Sequence, residues 1–123
     1  MAVMQSRNNR TLIAATDLSA AQFKFITLDA DGANLAGSAG EAVFGVCLAG
    51  AGVGKAVTVN VSGSVLVTAG GTIAKGAAVQ TSATGEALAA AAGDVVAGYA
   101  REAAVDNQII EIELIQGGNV VPA

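Results

Sequence analysis

The chain has 123 residues, enough for one domain, with ten acidic and six basic side chains and a net charge of −4. It contains no histidine and no tryptophan, and Cys47 is its only cysteine, which excludes a histidine-based triad, a histidine-ligated metal, an intrachain disulfide and a four-cysteine zinc site. Alanine and glycine supply 44 of the residues, so the hydrophobic fraction of 53% overstates the core, and a core this thin favours self-association.

Residues 1–10 (MAVMQSRNNR) have no apolar run that would make a signal peptide and no apolar period. They are expected to form a flexible N-terminal arm. Thr11–Ala15 reads as a short strand. Ser19 and Gln22 stand at capping-box spacing, which predicts a single helical turn. Phe23–Leu28 alternates and is β-rich, and Asp29-Ala-Asp31-Gly32 signals a turn. Residues 32–41 are small and glycine-rich and read as a loop.

Ala42–Leu48 is expected as a strand with Phe44, Val46 and Leu48 on one face. Ala56–Ser62 and Ser64–Ala69 are the clearest strands, joined at Gly63, with Val57, Val59 and Val61 on one face. Gly70–Gly76 reads as a turn anchored by Ile73. Ala78–Ser82 and Glu86–Ala90 make a short hairpin around Thr84-Gly85, and residues 89–94 are ambiguous. Val95–Ala103 is a strand with Gly98 as a bulge or close-approach point. Gln108–Ile115 is the last strand, with Ile110, Ile112 and Leu114 facing one way and Glu111 and Glu113 the other. Residues 116–123 are expected to be a loose tail.

Short strands at this spacing with glycine punctuation predict an all-β fold, a small barrel or sandwich over residues 11–115. No exact internal repeat stands out. The uncharged stretch Ala56–Ala74 is about as long as a membrane span but alternates, so no membrane segment is expected. The acidic balance argues against a nucleic-acid partner. A lone thiol fits a reducing compartment such as a bacterial cytoplasm.

Segments that suggest chemistry fail on spacing. Gly50–Lys55 lacks the first glycine of a phosphate loop and the hydroxyl after its lysine, where Ala56 stands. Asp29-Ala-Asp31-Gly32 lacks the later acids of a calcium loop, at Ala33 and Gly40. Glu111 and Glu113 lie on one strand rather than across a cleft, so they read as a solvated face or an intersubunit ion pair. Cys47 has no histidine to activate it. Lys55 and Lys75 lack a carrier-type context. No catalytic residue, metal or cofactor is expected.

From Thr16 onward the residue order becomes informative. A Gly45-Val46 strand leads to Val59-Asn-Val61-Ser-Gly63-Ser-Val65-Leu-Val67, read as a hairpin. The turn Ala69–Gly76 and the closing Ala97-Gly98-Tyr99-Ala100 and Ile109–Ile115 follow. This order resembles the small capsid decoration (cement) proteins of tailed phages, over about Thr11–Ile115. The resemblance implies a β-barrel-like domain, a homotrimer on the outside of a capsid, and a segment that contacts the major capsid protein. It places the protein in the virion after synthesis in the host cytoplasm. A head-surface fibre or adhesin module that binds host glycans is the alternative; the lack of tryptophan and the single Tyr99 weigh against it.

On this reading the contact residues are expected in the arm and the segments beside it: Arg7, Arg10, Thr11, Leu12, Ile13, Phe23 and Phe25. The arm with Thr11–Ile13 would add a strand to a neighbouring capsid subunit.

Overall fold

A computed structural model describes residues 6–115. All nine strands belong to one curled antiparallel sheet that forms a half-barrel. They are β1 (Ser6–Ile13), β2 (Phe25–Asp29), β3 (Gly32–Leu35), β4 (Gly45–Ala49), β5 (Ala56–Thr68), β6 (Ala78–Thr81), β7 (Ala87–Ala89), β8 (Gly98–Ala100) and β9 (Ile109–Leu114). The order across the sheet is β3-β2-β4-β5-β9-β8-β6-β7, and β1 also pairs with β5.

The strand β5 organises the molecule. Its first half is flanked by β4 and β1, and its second half pairs with β9. The Val-x-Val alternation buries Val57 and Val59 in a smaller core with Leu18, Ile26, Ala33 and Cys47. The same alternation past Gly63 buries Val65 and Val67 in a larger core with Phe25, Val46, Val79, Ile110 and Ile112. The expected hairpin at Gly63 is absent: one continuous strand runs through it. Gly63 has φ 87° and marks where β1 gives way to β9 as the neighbour. A left-handed residue there twists the strand out of one lobe and into the other.

The two lobes repeat each other strand for strand. The pairs Phe25↔Val46 and Ile26↔Gly45 recur as Ala78↔Tyr99 and Val79↔Gly98. Cys47↔Val59 recurs as Ala100↔Ile112, and Leu12↔Val57 as Val67↔Ile110. The isolated parallel bridge Ala14↔Ala33 closes the first lobe as Ala69↔Ala87 closes the second. Loop bonds recur too: Phe23 N–H donates to Cys47 C=O and Gly76 N–H to Ala100 C=O, both at 2.7 Å. Gly54 N–H donates to Ala14 C=O and Asn107 N–H to Ala69 C=O, both at 2.8 Å. Left-handed backbone falls at matching places, Phe23 with Gly76, Gly40 with Gly93 and Gly54 with Asn107. Gly45 and Gly98 also match: a Cβ at either would run into a carbonyl, of Asn60 or of Glu113.

Several local expectations need correction. Residues Ser6–Arg10, read as arm, are part of β1, because their backbone pairs with β5 although their side chains carry no apolar period. Residues 32–35, read as loop, form β3. No helical turn forms at Ser19: its N–H is taken by Asp17 Oδ1 at 3.0 Å, and Gln22 donates to Leu48 C=O at 3.2 Å. Phe44 and Val46 pack in different cores rather than together. Glu111 is buried, not solvated, with Arg101 Nη1 3.3 Å from its Oε2. The expected tail, residues 116–123, lies outside the described residues. Among the described residues there is no helix long and apolar enough to cross a membrane.

Candidate functional site

The sequence-selected residues are only partly brought together. Arg7 falls in β1, where the register shifts between Ser6 and Asn8. Arg10, Thr11, Leu12 and Ile13 follow on the same strand opposite Val59, Thr58, Val57 and Ala56. Directly opposed residues share a face, so Leu12 turns with Val57 toward the smaller core and is half-buried. Arg10, Thr11 and Ile13 are exposed, Ile13 at 52%. Among the described residues Arg10 makes no ion pair, and its Nη1 reaches only the Asn9 carbonyl at 3.4 Å. Arg10 lies on the same face as Leu12, and Thr11 and Ile13 lie on the opposite face, so the exposed groups are spread over both faces of one strand.

The two phenylalanines do not belong to this strand. Phe25 is wholly buried in the larger core, so its ring is a packing group and cannot meet a partner. Phe23 is half-buried in a left-handed conformation at the junction of the lobes, where its carbonyl accepts Thr68 N–H at 2.8 Å. The alternation in FKFITL hid this difference, because burial here depends on the second lobe closing over Phe25.

Other surface features were not assigned to a contact from the sequence. Leu28, Val53, Tyr99, Val105 and Ile109 are exposed apolar or aromatic groups, from 43% for Tyr99 to 63% for Val53. A groove of about 440 Å³ lies between Thr27–Asp29 and Glu41–Phe44. A second, more apolar groove of about 480 Å³ lies between Thr72–Ala74 and Ala103–Val105. Val53 and Val105 could have been noticed as large apolar groups stranded in loops of small or polar residues.

The acidic turn is occupied by its own chain. Asp29 Oδ1 accepts the N–H groups of Asp31 and Gly32 at 2.8 and 3.2 Å, and Oδ2 accepts the Asn34 amide at 2.8 Å. Asp17 lies below the usual carboxylate range because it accepts the Ser19 backbone N–H and is hydrogen-bonded by the Ser19 side chain. Burial pushes the Cys47 thiol up, the opposite of what a nucleophile needs. Nothing in these groups assembles a nucleophile, a base and an acceptor of developing charge.

The sequence matches the family model of the phage cement protein over residues 4–114. The chain belongs to the phage cement protein family. None of the curated proteins matches it. Among solved structures it is similar to the N base of the head fibre gp8.5 of bacteriophage phi29, at 19% identity and a TM-score of 0.70. That match covers 91% of this chain and 97% of the other, and it shows a shared fold. A cement protein is a structural, capsid-associated component of the virion.

Proposed function

We propose that this cement protein binds the outside of a bacteriophage capsid as a homotrimer and bridges major capsid protein subunits. The observation that carries the reading is the open edge of β1. Arg10, Thr11 and Ile13 are exposed on a strand whose β5 edge is paired. Among the described residues, its other edge first meets a backbone partner near Ala14, through Ala14↔Ala33 and Ala15 N–H to Ala33 C=O at 2.9 Å. An unpaired edge offers backbone donors and acceptors to an extended segment of a capsid subunit. The exposed guanidinium of Arg10 favours an acidic segment. Family membership and the head-fibre base of similar fold support a capsid location for the contact.

Bridging stabilises a shell by linkage. A ligand that binds only the assembled state contributes RT ln(1 + [L]/Kd), about 2.7 kcal/mol per site at a hundredfold excess over Kd. Decorated capsids should therefore release DNA at a higher temperature than bare ones. Removing residues 1–13 is a poor probe, because Leu12 belongs to the smaller core. Arg10→Glu changes only an exposed side chain, and it should weaken capsid binding while leaving the subunit's melting temperature unchanged. Bare and decorated shells opening at the same temperature would remove the cement role. Full protection by Arg10→Glu would keep the role and remove β1 as the contact.

A further inference from the structure

The repeat of the two lobes exposes a surface whose counterpart is already filled. The first lobe docks on the second through its loop around Gly40. Gly40 N–H donates to Thr81 C=O at 3.0 Å, and Val95 N–H donates to Gly40 C=O at 3.0 Å. Phe25 and Val46 of the first lobe complete the larger core beside Val65 and Val67. Phe25 N–H also donates to Gly85 C=O at 2.7 Å.

The strand equivalences carry Gly40, Val46, Thr81 and Val95 of this contact to second positions, while Phe25 maps to the smaller Ala78. The groove that holds Gly40 on the second lobe corresponds on the first lobe to the 440 Å³ groove beside Leu28. There Leu28 stands for Thr81 and Ala42 for Val95. Thr81 is wholly buried, whereas Leu28 is 46% exposed. The loop that would fill it also has a counterpart: Gly93, with φ 84°, matches Gly40, with φ 76°. Val46, at 0% exposure, corresponds to Tyr99, at 43%. Each lobe thus uses one side of the contact inside the chain and leaves the other side open. The surface used by the first lobe is not the one used by the second, so the contact is heterologous, and heterologous contacts continue from copy to copy.

We infer that copies of this chain associate head to tail, the Gly93 loop and Tyr99 of one copy docking in the Leu28 groove of the next. The contact continues between copies the interface already present between the lobes. It deepens the homotrimer in the proposed function and rests on the chain associating with itself. If three copies close, the result is a ring of six similar lobes. Ile13 corresponds to Thr68, which donates to Phe23 C=O in the internal contact. It therefore borders both this surface and the proposed capsid contact, and it is not used as a probe here.

The test uses two surface variants of the full chain, Leu28→Lys and Tyr99→Lys, with wild type, in light scattering at micromolar concentration and after loading on capsids. Each variant keeps one intact side. Each alone should be a folded monomer, with near-ultraviolet circular dichroism like that of wild type. Mixed in equal amounts, the two should form a dimer and stop there. A mixture that stays monomeric while wild type is a trimer would overturn the head-to-tail contact and leave the homotrimer standing. Variants that still form wild-type trimers would do the same. Wild type that is monomeric both in solution and on the capsid would overturn the homotrimer and this contact together. A variant that fails to fold is replaced by Leu28→Gln or Tyr99→Gln, read in the same way.

Discussion

At the residue scale, burial decides what each side chain does. Phe25 has no exposed surface and joins the two lobes, so Phe25→Ala should cost about 3–5 kcal/mol in urea denaturation. A loss below 1 kcal/mol would mean that the ring is not the packing group described. Cys47 gives a second test. Its thiol is buried and its pKa is raised above the ordinary 9.0 by desolvation. The folded state therefore holds the proton more tightly than the unfolded chain. This contribution is complete at neutral pH and is lost as pH rises above the ordinary thiol value toward the folded one. Stability should fall above about pH 9 in wild type and fall less in Cys47→Ala. A thiol reagent at pH 7 should label Cys47 only as fast as the protein opens. Rapid labelling of the folded protein would contradict its burial.

At the element scale, β5 shows how much the sequence revealed. The alternation of Val57, Val59, Val65 and Val67 and of Ile110, Ile112 and Leu114 was legible, because one buried face imposes a period of two. The turn at Gly63 was legible as a glycine but not as a twist within one strand, since a hairpin and a twisted strand can ask for the same residue. The start of β1 was hidden because Ser6–Arg10 is held by backbone pairing, which leaves no trace in side-chain polarity. The repeat was hidden for a related reason. Matching positions share a backbone requirement or a volume, as Gly45 with Gly98, or Leu18 with Ile73, whose N–H groups donate to Ala51 and Ala104, and seldom an identity. Of the residues proposed for contact, Arg10, Thr11 and Ile13 are exposed, while the burial of Phe25 depended on a lobe encoded downstream. Gly63→Ala tests the strand directly. A side chain at φ 87° should cost about 1–2 kcal/mol. The loss should weaken both cores together, seen as one cooperative transition shifted to lower urea. Two separated transitions would mean that β5 does not couple the lobes.

At the scale of the whole molecule, the surface area bears on why copies would associate. The composition suggested a core too thin to stand alone. The folded chain exposes 5765 Å², close to the roughly 6,000 Å² expected of a compact monomer of 11.9 kDa. Small residues here bring strands close together rather than leaving the interior unfilled: a Cβ at Gly45 or Gly98 would have no room. Association is then an addition to a finished fold and not a condition for it. A partner that binds only the folded state raises the melting temperature by mass action. The wild-type melting temperature should therefore fall on dilution toward a limit. Leu28→Lys should melt at that limit in one cooperative step, whatever its concentration. Scanning calorimetry over a hundredfold range of concentration reads both. If Leu28→Lys is monomeric but lacks a cooperative transition, the subunit needs its neighbours to fold, and the compact-monomer account fails.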